Sequence, residues 1–350
     1  MDKKLSEKIK VISFVLILLV LYIHSGFHLD EIAGMGINFY VQRALGKMLG
    51  RCAVPLFYVI SGYLFYFTAK NIQSVFDKMK KRFKSLVIPY LIGCLFFVSV
   101  FFILRYVPGV SQFMNSNLSE FFKESPKVML YKTFINSGSG TPLAFHLWFL
   151  RDLILLVLTA PIWYFAFKYL RWYWVPLVAI LAFYFSKTPQ VYALFWFALG
   201  GALPLTTFKV LDRSSSVRKI IVILLFLILC IVQLCTITWV GWLSLKIPII
   251  FIGVMAIWYA YDVLVPDDFN LESHRYLVYA TSFTFFIYLF HEPSLNVVRK
   301  IIVFLIGKNS LGYLISYLLS PWLFFFTGTI VGLIFKKILP RAYGYAAGGR

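Results

Sequence analysis

The sequence predicts an all-α integral membrane protein of about ten transmembrane helices with both termini cytoplasmic. Three observations predict it. First, 61% of the 350 residues are hydrophobic and only 14% are charged, whereas a soluble domain is nearer half apolar. Second, runs such as Val11–Ile23, Leu91–Leu104 and Ile220–Ile237 hold no charged side chain, and a bilayer core takes about 20 mostly apolar residues per helix. Third, lysines and arginines gather at alternate connections between these runs, the pattern that orients helices in a bilayer.

The elements follow in order. Lys8–Phe27 is the first span; no small-residue cleavage site follows it, so it reads as retained and not as a signal peptide. Tyr40–Gly50 reads as an interfacial amphipathic helix ahead of the second span, Val54–Ala69. The third, Leu86–Val107, carries Pro89 near its start, where a ring without an N–H kinks a helix. Leu147–Lys168 is the fourth. Tyr173–Ser186 and Val191–Thr207 are short and read as a broken or re-entrant pair. Lys219–Val240, Ser244–Val263, Tyr276–Leu295 and Leu311–Ile338 complete the set. Strands are excluded because lipid tolerates only helices or closed barrels, and barrel alternation is missing. Residues 1–340 read as one polytopic domain and 341–350 as a short cytoplasmic tail.

The net charge of +20 would point to nucleic acid in a soluble chain. Here the cations sit in or beside short connections: Lys3, Lys4, Lys8 and Lys10 at the N-terminus; Lys70, Lys78, Lys80, Lys81, Arg82 and Lys84 after span two; Lys168 and Arg171; Lys209, Arg213, Arg218 and Lys219; then Lys336, Lys337 and Arg341. These stretches define the cytoplasmic side of a plasma (inner) membrane, with lipids and not nucleic acid as the surrounding partner. The longest loop, Pro108–Phe145, falls outside. Cys52, Cys94, Cys230 and Cys235 form no CxxC pair, so neither disulfides nor zinc are expected. Trp148, Trp163, Trp172, Trp174, Trp239 and Trp242 lie near span ends, as an aromatic belt does.

With this orientation His24, His28, His146 and His291 share one level near the outer boundary, while His274 lies in an inner loop. Ionisable groups at membrane depth are costly and are functional candidates by default. A histidine also accepts a proton near neutral pH. The plainer reading of His24 is an interfacial side chain bonded to a neighbouring helix. His24 and His28 have the spacing of paired metal ligands, but Gly26 intervenes and no third ligand stands out, so no metal is expected. Glu292 follows His291 directly; it orients an imidazole, as an acid does in a triad, or simply faces headgroups before Pro293. Arg51 opens span two, where it snorkels or grips a phosphate or carboxylate in two-point fashion. Ser61 and Gly62 read as close helix packing. Arg82 and Lys84, in "KKRFKSLVIPYL", are topology signals or a dock for a polyphosphorylated cytoplasmic ligand. Lys10 lies about 21 Å from His24 along the first helix, so the two act only on opposite ends of a long ligand.

The order of these motifs is that of a known family. A histidine ending span one, "VPLFYVISGYLF", "KRFKSLVIPYL", "HLWFLRDLILLVLTAPI" and a late "HE" together resemble the membrane acyltransferase-3 family, whose members O-acetylate surface glycans and related acceptors. The likeness runs from about Lys10 to Lys337. It implies that His24 is the catalytic histidine, with Glu292 or His291 orienting it. It implies that Arg51, Arg82 and Lys84 handle donor or acceptor, and that His146 and Trp148 belong to the fourth-span signature. Ser13 stands where many members carry an arginine, and Lys10 lies about one turn before it. The implied reaction moves an acyl group, expected to be acetyl, from acyl-CoA to a hydroxyl of a cell-surface glycan or lipid-linked sugar, with no cofactor beyond that co-substrate. An exporter or flippase of glycans is the alternative; the lack of an internal repeat and the scarcity of mid-membrane charge count against it.

Overall fold

The computed structural model describes residues 2–32, 34–107, 120–185, 188–205, 216–236 and 245–349. Trp239, Trp242, Lys209, Arg213, the first part of the long loop and the inferred span ends at Ser186, Thr207, Val240 and Ser244 lie outside these residues. In chain order the helices are α1 (Lys3–Ser25), α2 (Ile37–Tyr66), α3 (Ile72–Leu104), α4 (Pro126–Phe134), α5 (Phe145–Leu158), α6 (Ala160–Leu170), α7 (Trp174–Tyr184) and α8 (Pro189–Leu205). They continue as α9 (Ser216–Thr236), α10 (Lys246–Leu264), α11 (Arg275–Ser282), α12 (Thr284–Phe290), α13 (Ser294–Ile306), α14 (Ser310–Ile338) and α15 (Pro340–Ala346). No strand occurs among the described residues.

Six of these helices are long and apolar enough to cross a bilayer, and the bent pair α5–α6 makes a seventh if it is one span. The expected fourth span is this pair, bent by 61°. Thr159 sits at the break, its hydroxyl turned back to the Leu155 carbonyl at 2.8 Å, and Pro161 has no N–H to continue the ladder. The stretch Tyr40–Gly50 is no separate interfacial helix. A π-helical turn at Arg43–Leu49 and a tight turn at Gly50–Cys52 carry it unbroken into the second span. The third span begins earlier than its apolar run: Asn71 and Ser74 form a reciprocal cap, which makes the basic stretch Lys78–Lys84 helical. The expected span Tyr276–Leu295 is instead α11, α12 and the start of α13. The Thr281, Ser282 and Thr284 hydroxyls bond to nearby carbonyls, and Pro293 ends the next pairing.

The chain divides into two compact units, Met1–Leu64 with Leu199–Leu333, and Phe65–Ala198 with Ile334–Arg350. In the first, α1 packs against α2, α10, α11, α12 and α13. Glycines permit the close approaches. A Cβ on Gly200 would meet the Val59 carbonyl oxygen at 2.0 Å, and one on Gly50 would meet Ile23 Cγ1 at 2.8 Å. In the second unit, α3 packs on α6 and α15, the Tyr66 hydroxyl donates to the Ala160 carbonyl at 3.0 Å, and Trp163 stacks on Trp174. The segment read as a tail contains α15, whose Tyr343 is buried beside Phe335; burial pushes its phenol up to about 12.

Candidate functional site

The first unit builds a polar centre where α1 ends. Arg299 of α13 donates from Nη1 to the Gly26 carbonyl at 2.6 Å and lies 4.6 Å over the Phe27 ring. The Phe27 N–H donates to Gln42 Oε1 at 2.9 Å. Gln42 donates to Asn38 at 2.8 Å, and Asn38 to the Ser310 carbonyl at 3.1 Å. These bonds satisfy groups that the helix end leaves without intrahelical partners and fix the turn that carries His24.

The His24 ring, half-buried, lies 4.9 Å from the fully buried His291 ring, tilted by 54°. His291 Nδ1 is 2.7 Å from the Tyr288 carbonyl. A carbonyl only accepts, so Nδ1 carries the proton of that bond. Glu292 is 4% exposed and interacts electrostatically with Arg299. The break between α12 and α13 thus brings an imidazole, a carboxylate and a guanidinium to the end of α1.

Arg51 lies on the tight turn of α2 and is exposed. Lys47, one turn earlier, interacts electrostatically with His24 and with Arg51 and Arg43. Sequence reasoning missed Arg43, Lys47 and Arg299. Their signal was the spacing of four between Arg43, Lys47 and Arg51, which puts them on one helical face. Lys10 is exposed on α1, whereas its neighbour Lys8 is fully buried and pairs with Asp262 at 2.7 Å. His28 is exposed, its N–H donating to Glu31 at 2.9 Å.

The remaining expected residues belong to the second unit. Arg82 and Lys84 lie at a π-helical turn, Phe83–Val87, inside α3. Arg82 is half-buried and Lys84 exposed. Lys78, one turn before, donates to the Phe65 carbonyl. His146 is buried at the start of α5 near the rings of Phe97 and Phe145, 5.9 and 5.8 Å away, and Trp148 is half-buried two residues on. Beside them Arg151 pairs with Asp152 at 2.8 Å and donates to the Ile135 carbonyl.

A family model described as an acyltransferase domain matches residues 8–337. The chain belongs to the acyltransferase-3 family. It is similar to the succinoglycan biosynthesis protein ExoH of Rhizobium meliloti (strain 1021), with 26% identity over 312 residues, 84% of this chain and 80% of that one. No solved structure matches it significantly. Membership in the acyltransferase-3 family and the six apolar helices make the protein a multi-pass membrane acyltransferase. The matched region contains both the His24 centre and the basic turn of α3.

Proposed function

We propose that the protein transfers an acyl group, acetyl in the simplest case, from acyl-CoA on the cytoplasmic side of the plasma membrane to a hydroxyl of a cell-surface glycan or lipid-linked sugar. The likeness to a protein named for succinoglycan biosynthesis supports a polysaccharide or its precursor as acceptor. In this reading both termini are cytoplasmic, about ten helical segments enter the membrane, and phosphates of the donor rest on Arg82 and Lys84.

One observation carries the chemistry: the His24 ring lies 4.9 Å from a buried His291 whose own Nδ1 proton is held by a carbonyl. His24 takes the proton of the acceptor hydroxyl as its oxygen attacks the thioester carbonyl. The C–S bond then breaks, and the proton passes to the leaving thiolate. General base catalysis of this kind is worth about 10²–10⁴-fold. His291 and Glu292 position the ring. Arg51, in the same compact unit as His24, is the candidate donor to the oxyanion formed on the way. The test is CoA release by purified protein given acetyl-CoA and the surface glycan of its host. His24→Ala should lose at least about 10²-fold in rate with an unchanged melting temperature. Full activity in that variant overturns the mechanism. CoA release in detergent, with no gradient across a membrane, also separates an enzyme from an exporter.

A further inference from the structure

Three cations stand at regular intervals on α2. Arg43, Lys47 and Arg51 repeat at intervals of four along one helix, so they share a face. They occupy about two successive turns. The face is tied to the level of His24 by close contacts. A Cβ on Gly46 would lie 3.6 Å from the Tyr22 carbonyl oxygen, and one on Gly50 would strike Ile23. Lys47 and Arg51 therefore step past the last turn of α1. The electrostatic neighbours found for them are one another and His24.

Among the described residues none of the three makes an ion pair. Like charges four apart destabilise a helix, and cations at membrane depth are costly, so the arrangement lacks a counter-ion. Glu292 and Glu31 act on Arg299 instead. Three buried polar atoms around the face also lack partners among the described residues, namely Arg43 Nε, Ser25 Oγ and the Tyr317 hydroxyl. Tyr317 sets that hydroxyl 3.2 Å from where a Cβ on Gly46 would be. The widened π-helical turn at Arg43–Leu49 is the kind of irregularity that recurs at functional sites. Lys47 and Arg51 are exposed and Arg43 half-buried, so a ligand can reach them.

We propose that Arg43, Lys47 and Arg51 form a cationic ladder that binds the diphosphate of a lipid-linked sugar acceptor and presents its sugar to His24. The proposal rests on the acyl-transfer reading and narrows its acceptor. Three cations along two turns match two linked phosphates better than a single carboxylate. A site on a membrane-spanning helix is reached most directly by a phosphate carried on a lipid. Two sources share that chemistry, the diphosphate carrier and bulk phospholipid headgroups, and the test separates them.

The experiment is binding of farnesyl diphosphate to the full chain in neutral-lipid nanodiscs, read by tryptophan fluorescence, with farnesol and phosphatidylglycerol as comparators. Wild type should bind the diphosphate at least about tenfold more tightly than farnesol. Phosphatidylglycerol at equal phosphate should not displace it. Lys47→Gln and Arg51→Gln should each weaken binding about tenfold, while Lys47→Arg should stay near wild type, which guards against a folding artefact. Equal binding of farnesol, displacement by phosphatidylglycerol, or undiminished binding by the Lys47→Gln/Arg51→Gln double variant overturns the ladder. Failure of the acyl-transfer reading looks different: the wild type would then release no CoA from acetyl-CoA and glycan, whatever the binding result.

Discussion

The two ends of α1 treat positive charge in opposite ways. At its start, Lys8 is fully buried with Nζ 2.7 Å from Asp262 Oδ1, and Lys219 lies 3.7 Å from the other oxygen of the same carboxylate. Lys8 also sits 4.1 Å over the Trp258 ring. At the end of α1, Lys47 acts on His24 and is joined by Arg51 and Arg43, none of the three in an ion pair among the described residues. The first arrangement is closed within the chain and joins α1, α9 and α10. The second is open. A buried charge with its counter-ion built in belongs to the architecture, because removing either partner leaves the other uncompensated. An exposed charge kept without one stays open to an anion from outside.

The largest effect that can break this contrast lies at the closed end. Lys8→Met should cost about 3–5 kcal/mol of stability, read as a lowered melting temperature of the detergent-purified protein. Pairing it with Asp262→Leu should deepen the loss, because the buried Lys219 then loses the carboxylate it shares with Lys8. At the open end, Lys47→Gln should leave the melting temperature unchanged or raise it, since it relieves like-charge repulsion. Equal destabilisation at both ends would dissolve the distinction.

The same contrast shows what the chain discloses locally and what it hides. Lipid spacing and loop charge made the all-helical membrane architecture legible, and the motif order pointed to the family. Both depend on composition over tens of residues. From the sequence, His24 and His291 are expected at one level, and their rings lie 4.9 Å apart. The role of Lys8 was not legible. Its neighbour Lys10 looked equally basic, and only Asp262, 254 positions away, decides which of them is buried. Asp262 inside "IWYAYDVLV" was the available hint, an acid in an apolar run. The ladder was hidden for a different reason. Treating Tyr40–Gly50 as a surface helix separated Arg43 and Lys47 from Arg51, whereas the π-helical turn joins them. Irregular turns leave no periodic mark in a sequence. His146 illustrates a further limit: depth alone does not say which histidines belong to one compact unit.

A second prediction sharpens the open end. His291 touches His24 but has its own Nδ1 committed to Tyr288, so it is a positioning residue. His291→Phe keeps the ring volume and removes the polar contact. The rate at saturating substrate should fall about 10²-fold, some 2.7 kcal/mol, with KM for acyl-CoA unchanged. The pH profile of kcat should move as well, because the charge environment of His24 changes. A general loss of packing would lower the yield of folded protein and leave that profile in place.

The smallest effect extends the comparison to the second unit, where α3 has its own π-helical turn at Phe83–Val87 with Arg82 and Lys84 beside it. Among the described residues neither cation makes an ion pair, so this cluster is open in the same sense as the ladder. If the rule holds, it awaits an anion, and the phosphates of acyl-CoA are the group the proposed reaction supplies. Lys84→Gln removes one exposed cation and should raise KM for acyl-CoA about tenfold, near 1.4 kcal/mol. Because the substitution is remote from bond making, kcat should stay within twofold of wild type, about 0.4 kcal/mol. The loss should shrink as salt rises, since exposed charges are screened. A KM that ignores both the substitution and the salt would mean that open cations here serve membrane topology alone, and would confine the rule to α2.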